Sequence, residues 1–154
     1  MKRIALFTAL LLCLQVEGKP VPKTQEKAPP KDDMASLQGE WEMVSLEQRG
    51  KKGEPSFRLT IQGDKWNVKP IAAADTESVA TTTFKIDQSK NPKTIDFTVK
   101  VMEMEIKPNP GIYKLEGDIL TLCRASGPLG RPTEFKTTDE GGTLVVWKRV
   151  GKVK

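Results

Sequence analysis

The sequence predicts an all-β domain, a small antiparallel up-and-down barrel of eight to nine strands. Three observations lead there: apolar and polar residues alternate at period two from residue 39 onward, no segment sustains a helical period, and glycine-containing connectors separate the alternating stretches. A chain of 154 residues has room for one such core. The alternating stretches are 40–47, 57–61, 65–69, 80–86, 94–106, 111–115, 119–124, 133–137 and 143–149. "QGD" at 62–64, "EGD" at 116–118 and "DEGG" at 139–142 offer Gly63, Gly117 and Gly141 or Gly142 for the positive φ of tight hairpins. Strands in this number close into a barrel or pack as a sandwich, with a five-stranded OB-type barrel as a smaller alternative.

Ahead of these strands lie two segments of different composition. Residues 1–18 read as a secretory signal: Lys2 and Arg3 form a basic start, and Ile4 to Leu14 is an apolar run of 11 residues. That run is short of the ~20 residues that span a membrane. "VEG" at Val16 to Gly18 puts a small residue before the cut and leaves Lys19 as the mature N-terminus. Cys13 is disfavoured as a lipid-attachment site because leucines, not small residues, precede it. Residues 19–35 form a Pro/Lys-rich linker in which Pro20, Pro22, Pro29 and Pro30 prevent a continuous helix. Lysines at 19, 23, 27 and 31 recur along it; they could grip an anionic polymer, but Glu26, Asp32 and Asp33 dilute the charge and favour a solvated spacer. The barrel is expected over 36–150, followed by a basic tail at 151–154.

Within the barrel, 94–106 changes parity. Ile95, Phe97, Val99 and Val101 share one face, and Met102, Met104 and Ile106 continue on the other. This predicts a bulge near Val101 and Met102, or two strands joined there, with Met102 and Met104 turned inward and Glu103 and Glu105 facing solvent.

Composition removes most chemistry. The chain has no histidine, which takes away the usual general base, the Ser-His and Cys-His pairs and the commonest zinc ligand. Cys123 is the one cysteine left after signal removal, so no intramolecular disulfide forms, and in "ILTLCR" it reads as a small buried hydrophobe. Asp87, Ser89 and Asn91 alternate like calcium ligands, but Pro92 stands where an EF-hand needs glycine and Thr98 where it needs glutamate. "SGPLGRP" at 126–132 lacks the Lys-Ser or Lys-Thr of a phosphate loop and reads as a long hairpin connection or a rim loop. Glu103 and Glu105 lie adjacent on one strand face rather than across a cleft as a glycosidase needs. Scattered lysines, 6% aromatic content and export argue against nucleic acid. No catalytic residue, metal site or cofactor is expected.

"LQGEWEMVSLEQRGK" (37–51), "NPKTIDFT" (91–98), "GIYKLEGDILTLC" (111–123) and "GRPTEFKT" (130–137) together resemble the secreted lipocalin-like domain family expanded in planctomycete bacteria, over about Leu37 to Val150. The resemblance implies a lipocalin-like up-and-down barrel and no assigned activity. The sequence departs from the family pattern at 99–109, where "VKVMEMEIKPN" replaces a more Gly-rich link. In lipocalin-like barrels a Gly-x-Trp opens the first strand, with the indole at the closed end beneath an arginine from the last strand. The matching residues are Gly39, Trp41 and Arg149. Face parity agrees, since an inward Trp147 carries Arg149 toward the barrel base.

Two functional expectations remain. One is an exported, monomeric, non-enzymatic module holding a small apolar or amphipathic ligand, with Met43, Trp66, Arg124 and Arg131 as candidate contacts. The other is a filled barrel acting on the cell envelope through its surface, as a protein-interaction scaffold or an inhibitor of an extracellular enzyme.

Overall fold

The computed structural model describes residues 32–73, 80–101, 104–125 and 130–152. The signal, most of the linker, Cys13, Met102, Glu103 and the last two residues of the basic tail lie outside the described residues. A short helix, α1 (Asp33–Leu37), precedes nine strands. They are β1 (Gly39–Gln48), β2 (Lys51–Gly53), β3 (Phe57–Gln62), β4 (Lys65–Pro70), β5 (Ala80–Asp87), β6 (Lys93–Val101), β7 (Met104–Glu116), β8 (Ile119–Arg124) and β9 (Thr143–Gly151). β1 pairs antiparallel with both β2 and β3, each strand from β3 to β8 pairs antiparallel with its successor, and β9 returns to pair with β1 from Glu40↔Gly151 to Gln48↔Thr143. Eight strands thus close a lipocalin-like barrel. The ninth, β2, lies on the same edge of β1 as β3, which continues that edge after the break at 54–56.

Period-two alternation works as expected along most strands: the buried residues Trp41 and Met43, Leu59 and Ile61, Ile95 and Phe97, Leu120 and Leu122, and Val145 and Trp147 face one interior. Rows of register partners layer that interior. Met43 lies opposite Trp147, itself opposite Leu120; Leu46 lies opposite Val145, itself opposite Leu122. A register shift between Met43 and Ser45 lets β1 turn both Met43 and Leu46 inward, leaving Val44 exposed. Burying each of these large side chains stabilises the fold by about 1.5–3 kcal/mol.

The 94–106 stretch resolves as two strands, β6 and β7, with Val101 opposite Met104. Met104 is 73% exposed, which corrects the inward placement: at a hairpin end the side chain has passed beyond the barrel wall. The predicted strand at 133–137 is not formed. β8 already pairs with β7 and β9, and β9 with β8 and β1, so closure leaves this segment no edge to join. It lies instead over Ile112, Cys123 and Ala125, all buried, with the Cys123 thiol 3.4 Å from the Lys136 carbonyl oxygen.

One end is closed by the segment 32–38, so the folded domain begins before residue 36. Asp32 caps α1 by accepting from the Met34 amide at 3.0 Å. Leu37 is fully buried, and its carbonyl accepts from the Trp41 indole at 3.0 Å. The Arg149 guanidinium lies 4.0 Å from the Trp41 ring centroid, a contact that contributes about 0.5–2 kcal/mol. It also donates to the Gln38 carbonyl at 2.5 Å, to the Ser36 carbonyl, and to Asp118 at 3.0 Å. Gly39, at φ +133°, allows this approach: a Cβ there would stand 2.6 Å from the Gly151 carbonyl oxygen and 2.8 Å from Arg149 Nη1. Gln38 bonds both backbone groups of Gly63 in the β3–β4 turn. Asp33 is buried and accepts from Lys93 Nζ at 2.5 Å and from the Tyr113 hydroxyl at 2.8 Å, while its amide donates to Gln88 at 3.0 Å.

Gly39→Ala forces a side chain into a left-handed backbone and a filled space, and is expected to cost at least ~1–3 kcal/mol in denaturant unfolding. Burial and the bond to Asp33 push the Tyr113 hydroxyl well above the ordinary tyrosine range. Its contribution to stability is therefore present below the unfolded value near ~10 and is lost as pH rises beyond it. Tyr113 is the chain's single tyrosine, so alkaline titration of tyrosinate absorbance reads it alone. Ionisation is expected to wait for unfolding, and Tyr113→Phe to lessen the alkaline fall in melting temperature.

Candidate functional site

At the end opposite α1 the interior is open. A cavity of about 360 Å³ lies there, at the small end of the ~300–1,000 Å³ usual for ligand sites. Its walls come from several strands: Met43 and Leu46 on β1, Phe57 on β3, Trp66 and Val68 on β4, Phe97 and Val99 on β6, and Leu122, Val145 and Trp147 on β8 and β9. Trp66 meets Phe84 and Phe97 edge-on, with ring centroids 5.6 and 5.0 Å away. This contact matters because, among the described residues, β4 and β5 pair at one register position, Lys65 opposite Thr83, reinforced by a bond from the Phe84 amide to the Asp64 carbonyl at 2.9 Å. Aromatic contacts, each worth about 0.5–1.5 kcal/mol beyond burial, take over there from the hydrogen-bond ladder.

Polar groups enter the apolar lining at defined places. Arg124 has the parity of Leu120 and Leu122 and continues their row toward the open end, opposite Thr143 and Gly111. Gly111 makes room for it, since a Cβ there would stand 3.2 Å from Arg124 Cγ and 2.8 Å from the Cys123 carbonyl oxygen. The guanidinium carbon lies 5.4 Å from the Phe97 ring centroid, and burial lowers the Arg124 pKa. Arg124 Nε, Trp147 Nε1 and Asn109 Oδ1 are buried and have no hydrogen-bond partner. All three residues line the cavity, and Arg124 is its one charged lining residue among the described residues.

The candidate contacts separate into two groups. Met43, Trp66 and Arg124 converge on this cavity. Arg131 does not: it donates to the carbonyls of Ile95 at 3.2 Å and Gly111 at 2.6 Å, and its other nitrogen pairs with Asp96 at 2.7 Å. It holds the 130–142 segment to the β6–β7 backbone and does not line this cavity. The hydroxyl of Thr137 donates to Glu47 and accepts from the Gly50 amide, tying the same segment to β1 and its turn. Asn109 and Gly111 were not singled out as site residues; the available signal was that a buried strand needs neither a polar amide nor a glycine.

Other candidate chemistry resolves into structure. Asp87 accepts from the amide and hydroxyl of Ser89 at 3.0 and 2.6 Å, an Asx turn whose bonds hold its carboxyl below the ordinary range. Burial pushes the Cys123 thiol up, away from thiolate reactivity. Among the described residues no group of three or more Asp, Glu or Cys side chains could hold a metal ion, and no helix is long and apolar enough to cross a membrane.

No family model, curated protein or solved structure matches the chain.

Gly111→Ala is expected to displace Arg124 from its row and to destabilise the barrel by about 1–3 kcal/mol, the usual cost of overpacking. A destabilisation below ~0.5 kcal/mol in chemical denaturation would mean that β7 and β8 adjust without strain at this position.

Proposed function

We propose that the chain is an exported, non-enzymatic binding module whose barrel holds one small apolar or amphipathic molecule. The observation that supports this reading best is the cavity itself: a space of about 360 Å³, open at one end and lined by apolar and polar side chains, into which partnerless polar atoms project. A buried donor or acceptor left without a partner costs about 1–3 kcal/mol, so a sequence optimised only to fill a barrel would avoid one. Three on the walls of one cavity fit a ligand that supplies the missing partners. The reading against an enzyme rests on the missing histidine and on the absence of an activated nucleophile at Cys123. Export and kinship with the secreted lipocalin-like domains rest on the N-terminal composition and the motif set. An interaction scaffold would need no cavity, and the filled-barrel reading is weaker for that reason.

Native mass spectrometry of the mature protein from its own source, without detergent, tests both parts. A mass beginning at Lys19 with an adduct released on unfolding is the expected result. A clean apo mass from a protein that also binds none of a panel of lipids and aromatic dyes would discard the carrier reading.

A further inference from the structure

Resting on the carrier reading, the geometry points to an organic anion as ligand: a carboxylate carried on an apolar body, its charged group taken inside the barrel against Arg124 and Trp147. The two buried atoms that lack acceptors, Arg124 Nε and Trp147 Nε1, are both donors. Trp147 is 2% exposed, so water outside the barrel does not satisfy its indole N–H. Asn109 adds an amide whose buried oxygen is likewise unpartnered and which can accept from a ligand hydroxyl or turn its own N–H inward.

Charge argues the same way. Among the described residues Arg124 makes no ion pair and no aspartate or glutamate lines the cavity. A partly buried guanidinium without a counter-charge is costly, and a carboxylate returns both the charge and the planar pair of acceptors that guanidinium matches. A neutral alcohol would satisfy one donor and leave the charge standing. A cationic ligand would add repulsion.

The approach to the cavity is basic as well. The turn after β1 and the strand β2 carry Arg49, Lys51 and Lys52 around a shallow surface depression that shares Gln48 and Thr143 with the cavity, with Asp139 as its one acidic member. Such a rim raises the local concentration of anions and speeds their entry. Elsewhere the cavity wall interleaves Gln48, Asn67, Thr82 and Thr143 with apolar side chains, and its apolar part, including Phe57, Val68 and Val99, receives the body of the ligand.

Calorimetric titration of the mature chain with decanoate and with 1-decanol, at pH 7 and moderate salt, tests this. Decanoate is expected to bind at least tenfold more tightly than 1-decanol. Arg124→Met is expected to abolish that preference by weakening decanoate alone. Trp147→Phe, which removes the N–H and keeps an aromatic ring, is expected to weaken decanoate several-fold and to spare 1-decanol. Melting temperatures identify any variant that fails to fold, in which case the other carries the comparison; the wild-type preference stands as a test without either. Binding of both probes without discrimination, or decanoate affinity unchanged in a folded variant, would overturn the anion inference and leave the carrier reading intact. Binding of neither probe would overturn the inference for this ligand class, and the native adduct would then decide the carrier reading separately.

Discussion

The structure depends on the closure of the barrel at its α1 end, and that closure depends on one guanidinium. Arg149 covers the Trp41 ring and ties β9 to the Ser36 and Gln38 carbonyls and to Asp118. The segment it holds then reaches the neighbouring turns: Gln38 bonds Gly63 between β3 and β4, and the Asp33 amide bonds Gln88 after β5. A barrel without a disulfide has to prevent its strands from fraying at each end. Here the seven residues from Asp32 to Gln38 do so at one end by meeting the backbone polar groups that a hairpin leaves unpaired.

The open end is built differently. Two of its connections, 71–79 and 125–142, are long, β4 and β5 share a single register pair among the described residues, and the 130–142 segment is strapped to the outer wall by Arg131 and Thr137. The aromatic group of Trp66, Phe84 and Phe97 compensates by packing across β4, β5 and β6 from within. A closed, heavily bonded base and a loosely laddered upper wall place rigidity and access at opposite ends. The cavity lies where the ladder is thinnest, and its polar atoms lie on the well-paired strands β7, β8 and β9. That division keeps donors in fixed positions while leaving room nearby for the proposed ligand to enter.

Much of this was legible from local pattern. Period two identified the strands, because a sheet with one face buried sorts its side chains by parity. Gly39, Trp41 and Arg149 followed from a motif joined to the parity of β9, and Arg124 is inward because Leu120 and Leu122 are. The same logic misled at 133–137, where alternation is present but closure of β1 on β9 leaves no edge to pair with. It misled again at Met104, whose parity is inward only while the strand remains inside the barrel wall. Arg131 looked available because charge is visible in sequence and its partners Asp96, Ile95 and Gly111 are not adjacent to it.

By itself, the sequence determined an antiparallel meander of short strands and its inward faces, because these depend on alternation and on neighbours a few residues apart. Only the tertiary structure decided that Asp33, set in a proline- and lysine-rich leader, is a buried base residue, since its partners Lys93 and Tyr113 are 60 and 80 positions away. It also decided that a cavity of about 360 Å³ lies among the inward side chains at the end away from α1. Whether the large interior side chains of an eight-stranded barrel meet at its axis depends on strand tilt and stagger, which are properties of the closed sheet and not of any one strand.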